Sequence, residues 1–442
     1  MKLNHLELNE RIHRNYQRLC EPYYQIDEVF ADPAYDWPGD KEGRALLAFV
    51  CHYQMTGAKV PCMEPMIAAL PEKTNRFGFF GHEAGEVIDE QQLSGHSWYL
   101  RGLLAYYEAF KDEAVLARAR STVENLFLPT AGRYAGYPIE RGGSEGGVSG
   151  CRIDEALDGW QLSTDVGCAF MSFDGLSHYY EVTGDARVLA LLEEMREAFD
   201  GIDKMYIKAQ THCCLTAARS FLRLYRKTGE EKWLQSSQKV AKLYVDHGMT
   251  YTYQNYNWWN KGNTWTEPCA VVDSLMLFGD LYELTGCEEC RRLAVRIWHN
   301  GFATVQRGNG GAGTCTTVNS EIHVSQTKMY EAYFCCTMRL AEGLLYAQTH
   351  ADLLTAEEGP LHKDEKGRYM AGDILYAEVT FVKDAEAQAD VAISGACAEL
   401  PVEIDRSGEV IMDGHRLMPM VKYYNLPKEI TDCVRQRIVF EA

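Results

Sequence analysis

The sequence predicts a mainly α-helical protein, an (α/α)6 toroid followed by a small C-terminal β-sandwich-like domain. Two observations carry this prediction. A short phrase, seen as YYEAFKD, YYEVTGD, LYRKTGE and LYELTG, recurs between amphipathic stretches with helical spacing. The pattern then changes beyond about residue 350, where apolar and polar residues alternate as they do in strands. The second tyrosine, or the only one, of each phrase falls at Tyr107, Tyr180, Tyr225 and Tyr282.

The recurring phrase is typical of the end of a helix. Val271, Leu275 and Phe278 precede Tyr282 at spacings that place all four on one face of a helix. The Thr-Gly that follows is expected to end that helix, because glycine readily adopts the left-handed conformation. Two helices with their loops fit the distance from one phrase to the next. The uneven distances favour a closed toroid with long loops at one mouth over a regular solenoid, with an irregular helical domain as the alternative.

The C-terminal segments GDILYAEVTFV, ADVAISG, GEVIMDGHRL and RQRIVFE read as strands. We therefore expect an α/α-barrel catalytic domain over residues 1–354 and a β domain over residues 355–442. The second domain is short for a complete sandwich, so it is expected to depend on the barrel for support.

The chain has 442 residues and a formal net charge of −19, which disfavours nucleic acid and anionic membranes as partners. No apolar run of signal-peptide or membrane-spanning length is visible, so we expect a cytoplasmic protein. An odd count of 15 cysteines points to reduced thiols, most of them small buried residues. A homodimer is compatible with the sequence, which does not determine the oligomeric state.

Two cysteine motifs could carry chemistry. Glu267 and Cys269 stand at the start of one predicted helix, and Cys335 and Cys336 enter another. Three thiols and one carboxylate form a sound tetrahedral zinc set. Adjacent cysteines rarely form a disulfide with each other, and a helix start favours thiolates. Buried cysteines that merely begin helices are the alternative, and the residues alone leave both readings open.

From about residue 75 to 350 the chain resembles the bacterial β-L-arabinofuranosidase family of glycoside hydrolases, family 127 and its relatives, as a divergent member. The resemblance rests on Glu267-Pro268-Cys269-Ala270, the helix ending in LYELTG, and Cys335-Cys336. Two further segments resemble family helices that bring histidines to the pocket. They are GHSWYLRGLLAYYE, which contains His96, and THCCLTAARSFLRLY, which contains His212.

The resemblance implies a zinc ion held by Glu267, Cys269, Cys335 and Cys336. It also implies that Cys335 attacks the anomeric carbon, with a thioglycosyl intermediate and retention of configuration. A zinc-bound thiol is deprotonated at neutral pH, so the nucleophile is preformed. A thiolate and an acid would thus replace the usual pair of carboxylates. The implied substrates are small glycosides or oligosaccharides, β-L-arabinofuranosides among them.

The sequence departs from the family in the loop before Glu267, where the characterised enzymes carry a general acid/base glutamate. No acidic residue lies between Asp246 and Glu267. The loop is instead rich in aromatic and amide side chains, of which Tyr256, Trp258 and Trp259 are expected to bind sugar; a packed loop is the alternative. The acid could come from elsewhere, the leaving group could need no protonation, or hydrolysis could be lost. The candidate substitutes are Glu83, Glu86, Asp165 and Asp246.

Other clusters have commoner structural explanations. The set Asp36, Asp40, Glu42 and Arg44 is typical of a buried salt bridge at a helix start. The pairs Cys287/Cys290 and Cys213/Cys214 are expected to be structural.

Two further functions stay open at this stage. One is a non-catalytic sugar-binding protein with a structural zinc. The other is a sugar isomerase or epimerase, which would rely on histidine bases chosen from His96, His178, His212 and His247.

Overall fold

The computed structural model describes residues 5–30, 36–141, 150–153, 156–250, 253–259, 264, 266–314, 330–357, 359, 361–363, 368–383, 410–412 and 415–423. Its helices are α1 (His5–Leu19), α2 (Ile26–Val29), α3 (Asp40–Thr56), α4 (Met63–Lys73), α5 (Glu90–Phe110), α6 (Glu113–Thr122), α7 (Ser172–Thr183), α8 (Ala186–Gly201), α9 (Thr211–Thr228), α10 (Glu231–Leu243), α11 (Pro268–Thr285), α12 (Glu288–Arg296), α13 (Ala303–Val305) and α14 (Cys336–Thr349). Its strands are β1 (Ile88–Asp89), β2 (Trp160–Gln161), β3 (Gly313–Thr314), β4 (Tyr330–Glu331), β5 (Leu361–Lys363), β6 (Arg368–Ala371), β7 (Ile374–Lys383), β8 (Val410–Met412) and β9 (His415–Tyr423).

Six helices form a closed inner ring. In order around the ring they are α3, α5, α7, α9, α11 and α14, and α14 packs back on α3. Each inner helix is covered by an outer one, namely α4, α6, α8, α10, α12 and, for α14, the N-terminal α1. The predicted (α/α)6 toroid is thereby confirmed. The first helix, α1, completes the outer layer beside the last inner helix.

Burial separates the two rings of helices. In α5, all residues from Glu90 to Tyr106 are buried, because this helix has neighbours on every side. In the outer α8 the buried side chains lie on one face only, where they pack against the inner ring. These are Val188, Leu191, Leu192, Met195 and Phe199.

The recurring phrase is the junction between an inner and an outer helix. Tyr107, Tyr180, Tyr225 and Tyr282 lie in the last turns of α5, α7, α9 and α11. In three of these junctions a glycine follows with positive φ, as at Gly184, where φ is 68°. The first junction uses Lys111 instead, at φ 56°. The repeat therefore marks where the chain turns outward.

The interior of the ring contains a network of buried ion pairs. Arg219 lies 2.6 Å from Asp174, 3.0 Å from Asp273 and 3.0 Å from Glu342. Arg101 joins the same network through Glu342 at 2.6 Å, and Arg339 pairs with both Asp273 and Glu342. Buried charges are tolerated only when they are paired in this way. The network joins side chains from five of the inner helices, α5, α7, α9, α11 and α14.

The C-terminal strands form an antiparallel five-stranded sheet in the order β5-β6-β7-β9-β8. The change from helix to strand falls between Thr349 and Leu361; the boundary at 354/355 stays a prediction. Segments ADVAISG and RQRIVFE lie outside the described residues. Among the helices described, none has both the length and the apolar character that a bilayer span requires.

Candidate functional site

A pocket opens where several inner helices begin. Its cavity volume is about 160 Å³. Its wall comes from the starts of α3, α9, α11 and α14 and from the segments before α3 and α7. The lining residues are Trp37, Asp40, Arg44, Gly150, Asp165, Met171, Gln210, His212, Glu267 and Cys335. Helix N-termini carry partial positive charge, so this mouth favours anionic side chains and ligands.

The two cysteine motifs meet at this mouth. Glu267 is the N-cap residue of α11, and Cys269 lies in the first turn of that helix. Cys335 is the N-cap residue of α14, and Cys336 is its first residue. Because α11 and α14 are neighbours in the ring, one ligand atom from each of the four residues lies within 4.8 Å of the others.

The donor atoms are tightly grouped. The Sγ atom of Cys269 lies 3.3 Å from that of Cys335 and 3.4 Å from that of Cys336. The two adjacent thiols are 3.2 Å apart. Oε1 of Glu267 accepts from Cys335 at 3.2 Å and from Cys336 at 2.9 Å. This cluster could hold a metal ion.

The charges of the cluster need compensation. Burial raises the pKa of Glu267 to about 8, and the neighbouring Cys335 adds to the shift. Burial also opposes ionisation of Cys269, but hydrogen bonds from Cys335 and Cys336 outweigh it and lower that pKa to about 6. Nη1 of Arg44 lies 3.7 Å from Sγ of Cys269. One guanidinium is too little for four anionic donors, so the fully ionised cluster requires a cation.

The amide-rich loop before α11 positions the cluster. The backbone N–H of Glu267 donates to Oδ1 of Asn255 at 3.0 Å, and the side-chain amide of Asn255 donates to Oγ1 of Thr211 at 3.0 Å. Asn255 is fully buried. Asn255 is one of the amide side chains of this loop, and its place before a predicted helix start was the available signal for a supporting role.

Of the histidines expected to matter, His212 lines the pocket, with Nε2 3.2 Å from Oδ2 of Asp273. His96 is buried, and both its ring nitrogens are engaged by the backbone, at Gln92 O and at Phe80 N. This placement argues against a direct contact between His96 and substrate.

The remaining two histidines lie away from the pocket wall. His178 is buried between Arg101 and Glu108, and His247 is exposed beyond the end of α10.

The aromatic loop is packed inside the fold. The Trp258 and Trp259 side chains are 1% and 0% exposed, and Nε1 of Trp259 donates to Sγ of Cys214 at 3.2 Å. Tyr256 is half-buried and is not among the residues that line the pocket. As placed, neither indole offers a face to a sugar. This burial favours the packed-loop alternative over stacking of the two indoles on substrate.

The four carboxylates proposed as substitutes for the general acid/base differ in their positions. Glu83 is exposed and paired with Arg76, and Asp246 is exposed and paired with Lys242. Glu86 is likewise exposed. Asp165 is the candidate that lines the pocket.

Two charged residues at the start of α3 form an ion pair and also line the pocket. Asp40 and Arg44 form the predicted buried salt bridge, at 2.8 Å, which confirms the structural explanation. Both residues nevertheless line the pocket, a placement that sequence reasoning missed. Their position at the start of an inner helix was the signal that could have revealed it.

The other cysteine pairs lie outside this pocket. Cys213 and Cys214 are buried in α9, whereas Cys287 is exposed at the start of α12 and Cys290 is half-buried.

Comparison with known proteins bears on the family and the fold of the chain. Residues 50–300 match the family model described as the beta-L-arabinofuranosidase, GH127 catalytic domain. No curated protein matches the sequence.

Solved structures with similar folds include a glycoside hydrolase, with 12% identity, a TM-score of 0.52, and coverage of 95% of this chain and 74% of that chain. A GH127 beta-arabinofuranosidase has 10% identity and a TM-score of 0.51 with the same coverage. A sugar epimerase from a ruminal bacterium has 13% identity and a TM-score of 0.55, and covers 78% of this chain and 98% of that chain. At these identities the likeness shows a shared fold alone.

Proposed function

The chain belongs to the beta-L-arabinofuranosidase family of glycoside hydrolases, GH127, and is a glycoside hydrolase; we propose that it cleaves small glycosides with retention, using Cys335 as nucleophile. The observation that carries the proposal is the convergence of Glu267, Cys269, Cys335 and Cys336 at a pocket wall. We include β-L-arabinofuranosides among the substrates because of the family.

We propose zinc as the metal of this cluster. Three sulfur donors and one carboxylate suit zinc, whereas magnesium and calcium prefer oxygen ligands alone. The crowding of four ionisable donors at a buried place fits a divalent cation, because a cation would balance the charge of the ionised donors. When bound, zinc would hold the thiols as thiolates and moderate their charge.

The residues of the chain then divide the chemistry between them. Sγ of Cys335 attacks the anomeric carbon and displaces the leaving oxygen, and water later releases the sugar from sulfur. Two displacements at the same carbon give retention. Cys335 is the cluster residue that lines the pocket along with Glu267, so it is accessible to substrate. His212 on the same wall is a proposed hydrogen-bonding partner of the sugar.

The residues that line the pocket give less support to the two alternative functions. An epimerase would need histidine bases at the pocket, and among its lining residues His212 is the one histidine described. A sugar-binding protein would keep the pocket without turnover, so an activity measurement separates it from a hydrolase.

The test is turnover of a panel of aryl glycosides that includes 4-nitrophenyl β-L-arabinofuranoside. Cys335→Ser should abolish turnover, because a hydroxyl is a poorer nucleophile and a worse leaving group than a thiolate. The matched control is Cys287→Ser at an exposed position, which should leave the rate unchanged. A sugar carrying a haloacetamide should label Cys335 before the other thiols, as peptide mapping would show.

Two results would contradict the proposal. Wild-type activity in Cys335→Ser would exclude the thiolate mechanism even with zinc present. Sugar binding by wild type without turnover of any glycoside would favour the binding protein.

A further inference from the structure

We propose that Asp165 is the general acid/base of this protein and takes the place of the acidic residue that the loop before Glu267 does not contain. The inference rests on the proposed function. It assigns the proton transfer to a different wall of the pocket, on the segment between β2 and α7, from which Asp165 lines the cavity together with Cys335.

The order of the inner ring separates the helix of the nucleophile from the helix that follows Asp165. Cys335 stands at the start of α14, which packs between α11 and α3. Asp165 precedes the short helix at 168–171 that leads into α7, and α7 packs between α5 and α9. In a ring of six, α7 and α14 are therefore opposite. A retaining hydrolase needs this arrangement, because the nucleophile and the acid flank the scissile bond.

The backbone around Asp165 is held by neighbours on both sides. Its N–H donates to Oγ of Ser163 at 3.1 Å, and its carbonyl accepts from Cys168 N at 3.0 Å. Ser163 N in turn donates to Oε2 of the buried Glu90 at 2.8 Å, at the start of α5. On the other side, Gln210 N donates to the carbonyl of Val166 at 2.9 Å. Such anchoring holds the backbone of Asp165 at the pocket wall, which limits the ordering that proton transfer would require.

The other carboxylates of the pocket stand at different places in its wall. Asp40 is paired with Arg44 at 2.8 Å, and it stands on α3, beside α14 rather than opposite it. Glu267 belongs to the proposed metal cluster. Of the carboxylates that line the cavity, Asp165 is therefore the one on the segment that leads into α7, the helix opposite α14.

Asp165 transfers a proton in each of the two chemical steps. In the first, the bond between Sγ of Cys335 and the anomeric carbon forms, the bond from that carbon to the leaving oxygen breaks, and the Asp165 carboxyl gives its proton to that oxygen. In the second, the Asp165 carboxylate takes a proton from water. The water oxygen bonds to the anomeric carbon, and the carbon–sulfur bond breaks to restore the thiolate.

The experiment compares leaving groups in Asp165→Ala, Asp165→Asn and wild type. Methyl β-L-arabinofuranoside needs protonation of its leaving group, whereas the 2,4-dinitrophenyl glycoside does not. On the methyl glycoside we expect a rate loss of about 10²–10⁴-fold, the usual contribution of a general acid. On the dinitrophenyl glycoside the release of phenol should stay fast while hydrolysis of the thioglycosyl enzyme slows. Azide should then restore turnover of Asp165→Ala and form the glycosyl azide with retained configuration.

Controls separate this inference from the function on which it rests. Asp246→Asn, at an exposed carboxylate outside the pocket, should behave as wild type, and circular dichroism checks the fold of each variant. Two outcomes would overturn the role of Asp165 alone. One is an equal rate loss on both glycosides without azide rescue. The other is a wild-type rate in both Asp165 variants while Cys335→Ser is inactive. A folded wild type that turns over neither glycoside would overturn both proposals.

Discussion

Oε1 of Glu267 lies 2.9 Å from Sγ of Cys336, although 69 residues of chain separate them. The two residues begin neighbouring inner helices, α11 and α14, so their contact depends on the closure of the ring. A metal ion at this point would tie the last inner helix to its predecessor. Metal binding and stability of the fold should therefore be linked.

The first prediction concerns that link. Purified protein should contain close to one zinc per chain by elemental analysis, and Cys269→Ala or Cys336→Ala should lose it, because the three remaining donors hold a tetrahedral ion poorly. Both variants should also melt at a lower temperature than wild type. Cys287→Ser, at an exposed thiol outside the cluster, should keep metal and melting temperature. Full zinc loading of both cluster variants would exclude the proposed site.

The second prediction concerns Arg44, which donates to Asp40 at 2.8 Å and lies 3.7 Å from Sγ of Cys269. Its guanidinium also lies over the Trp98 ring, 3.9 Å from the centroid. Arg44→Met should weaken zinc affinity or activity by about 10–100-fold, the usual cost of removing a residue that supports metal ligands. Competition with a chelator and turnover measure the two effects. Arg187→Met, at an exposed position, is the control; equal losses there would indicate a general charge effect.

The third prediction concerns the packed indoles. Trp259→Ala should destabilise the fold by about 3–5 kcal/mol, because it empties a fully buried site beside Gly248 and Cys214. Denaturant unfolding measures this change. Tyr206→Ala, at a ring position that is 61% exposed, should have little effect. A Trp259→Ala protein of unchanged stability that has lost sugar binding would instead restore the stacking role.

The fourth prediction concerns the buried network. Burial alone would raise the pKa of Asp174, but Arg101, Arg219 and Arg223 outweigh it and hold that pKa well below its usual value. Asp174→Asn should cost about 3–5 kcal/mol at pH 7, since it leaves buried guanidinium groups uncompensated. Asp246→Asn, at an exposed ion pair, should cost little.

The lowered pKa of Asp174 also predicts that the stability of the fold depends on pH. A depressed folded-state pKa contributes stability above the unfolded-state value, near pH 4, and this contribution is lost as pH falls toward the folded-state value. Urea unfolding of wild type between pH 7 and pH 3 should show that loss, and Asp174→Asn should show less of it. Parallel pH profiles for the two proteins would contradict the linkage.

Much of the architecture could be predicted because helix ends leave local signals. The phrase around Tyr180 and Gly184 marks the exit of α7 through a glycine in the left-handed conformation, and similar signals recur. The cysteine motifs were visible for the same reason, since each lies at a helix start. The lining role of Asp40 was hidden because a salt bridge to Arg44 explains it equally well locally.

The sequence by itself determined the serial helix pairs, the switch to strands and the donor types of the cysteine–glutamate cluster, since these depend on periodicity and on residues close in the chain. Only the tertiary structure decided that Trp259 is packing, that His96 is engaged by the backbone and that Asp165 shares a pocket with Cys335. The physical reason is ring closure. Which side chains face the mouth depends on how each of the six inner helices is rotated in the ring. No local sequence pattern encodes that rotation.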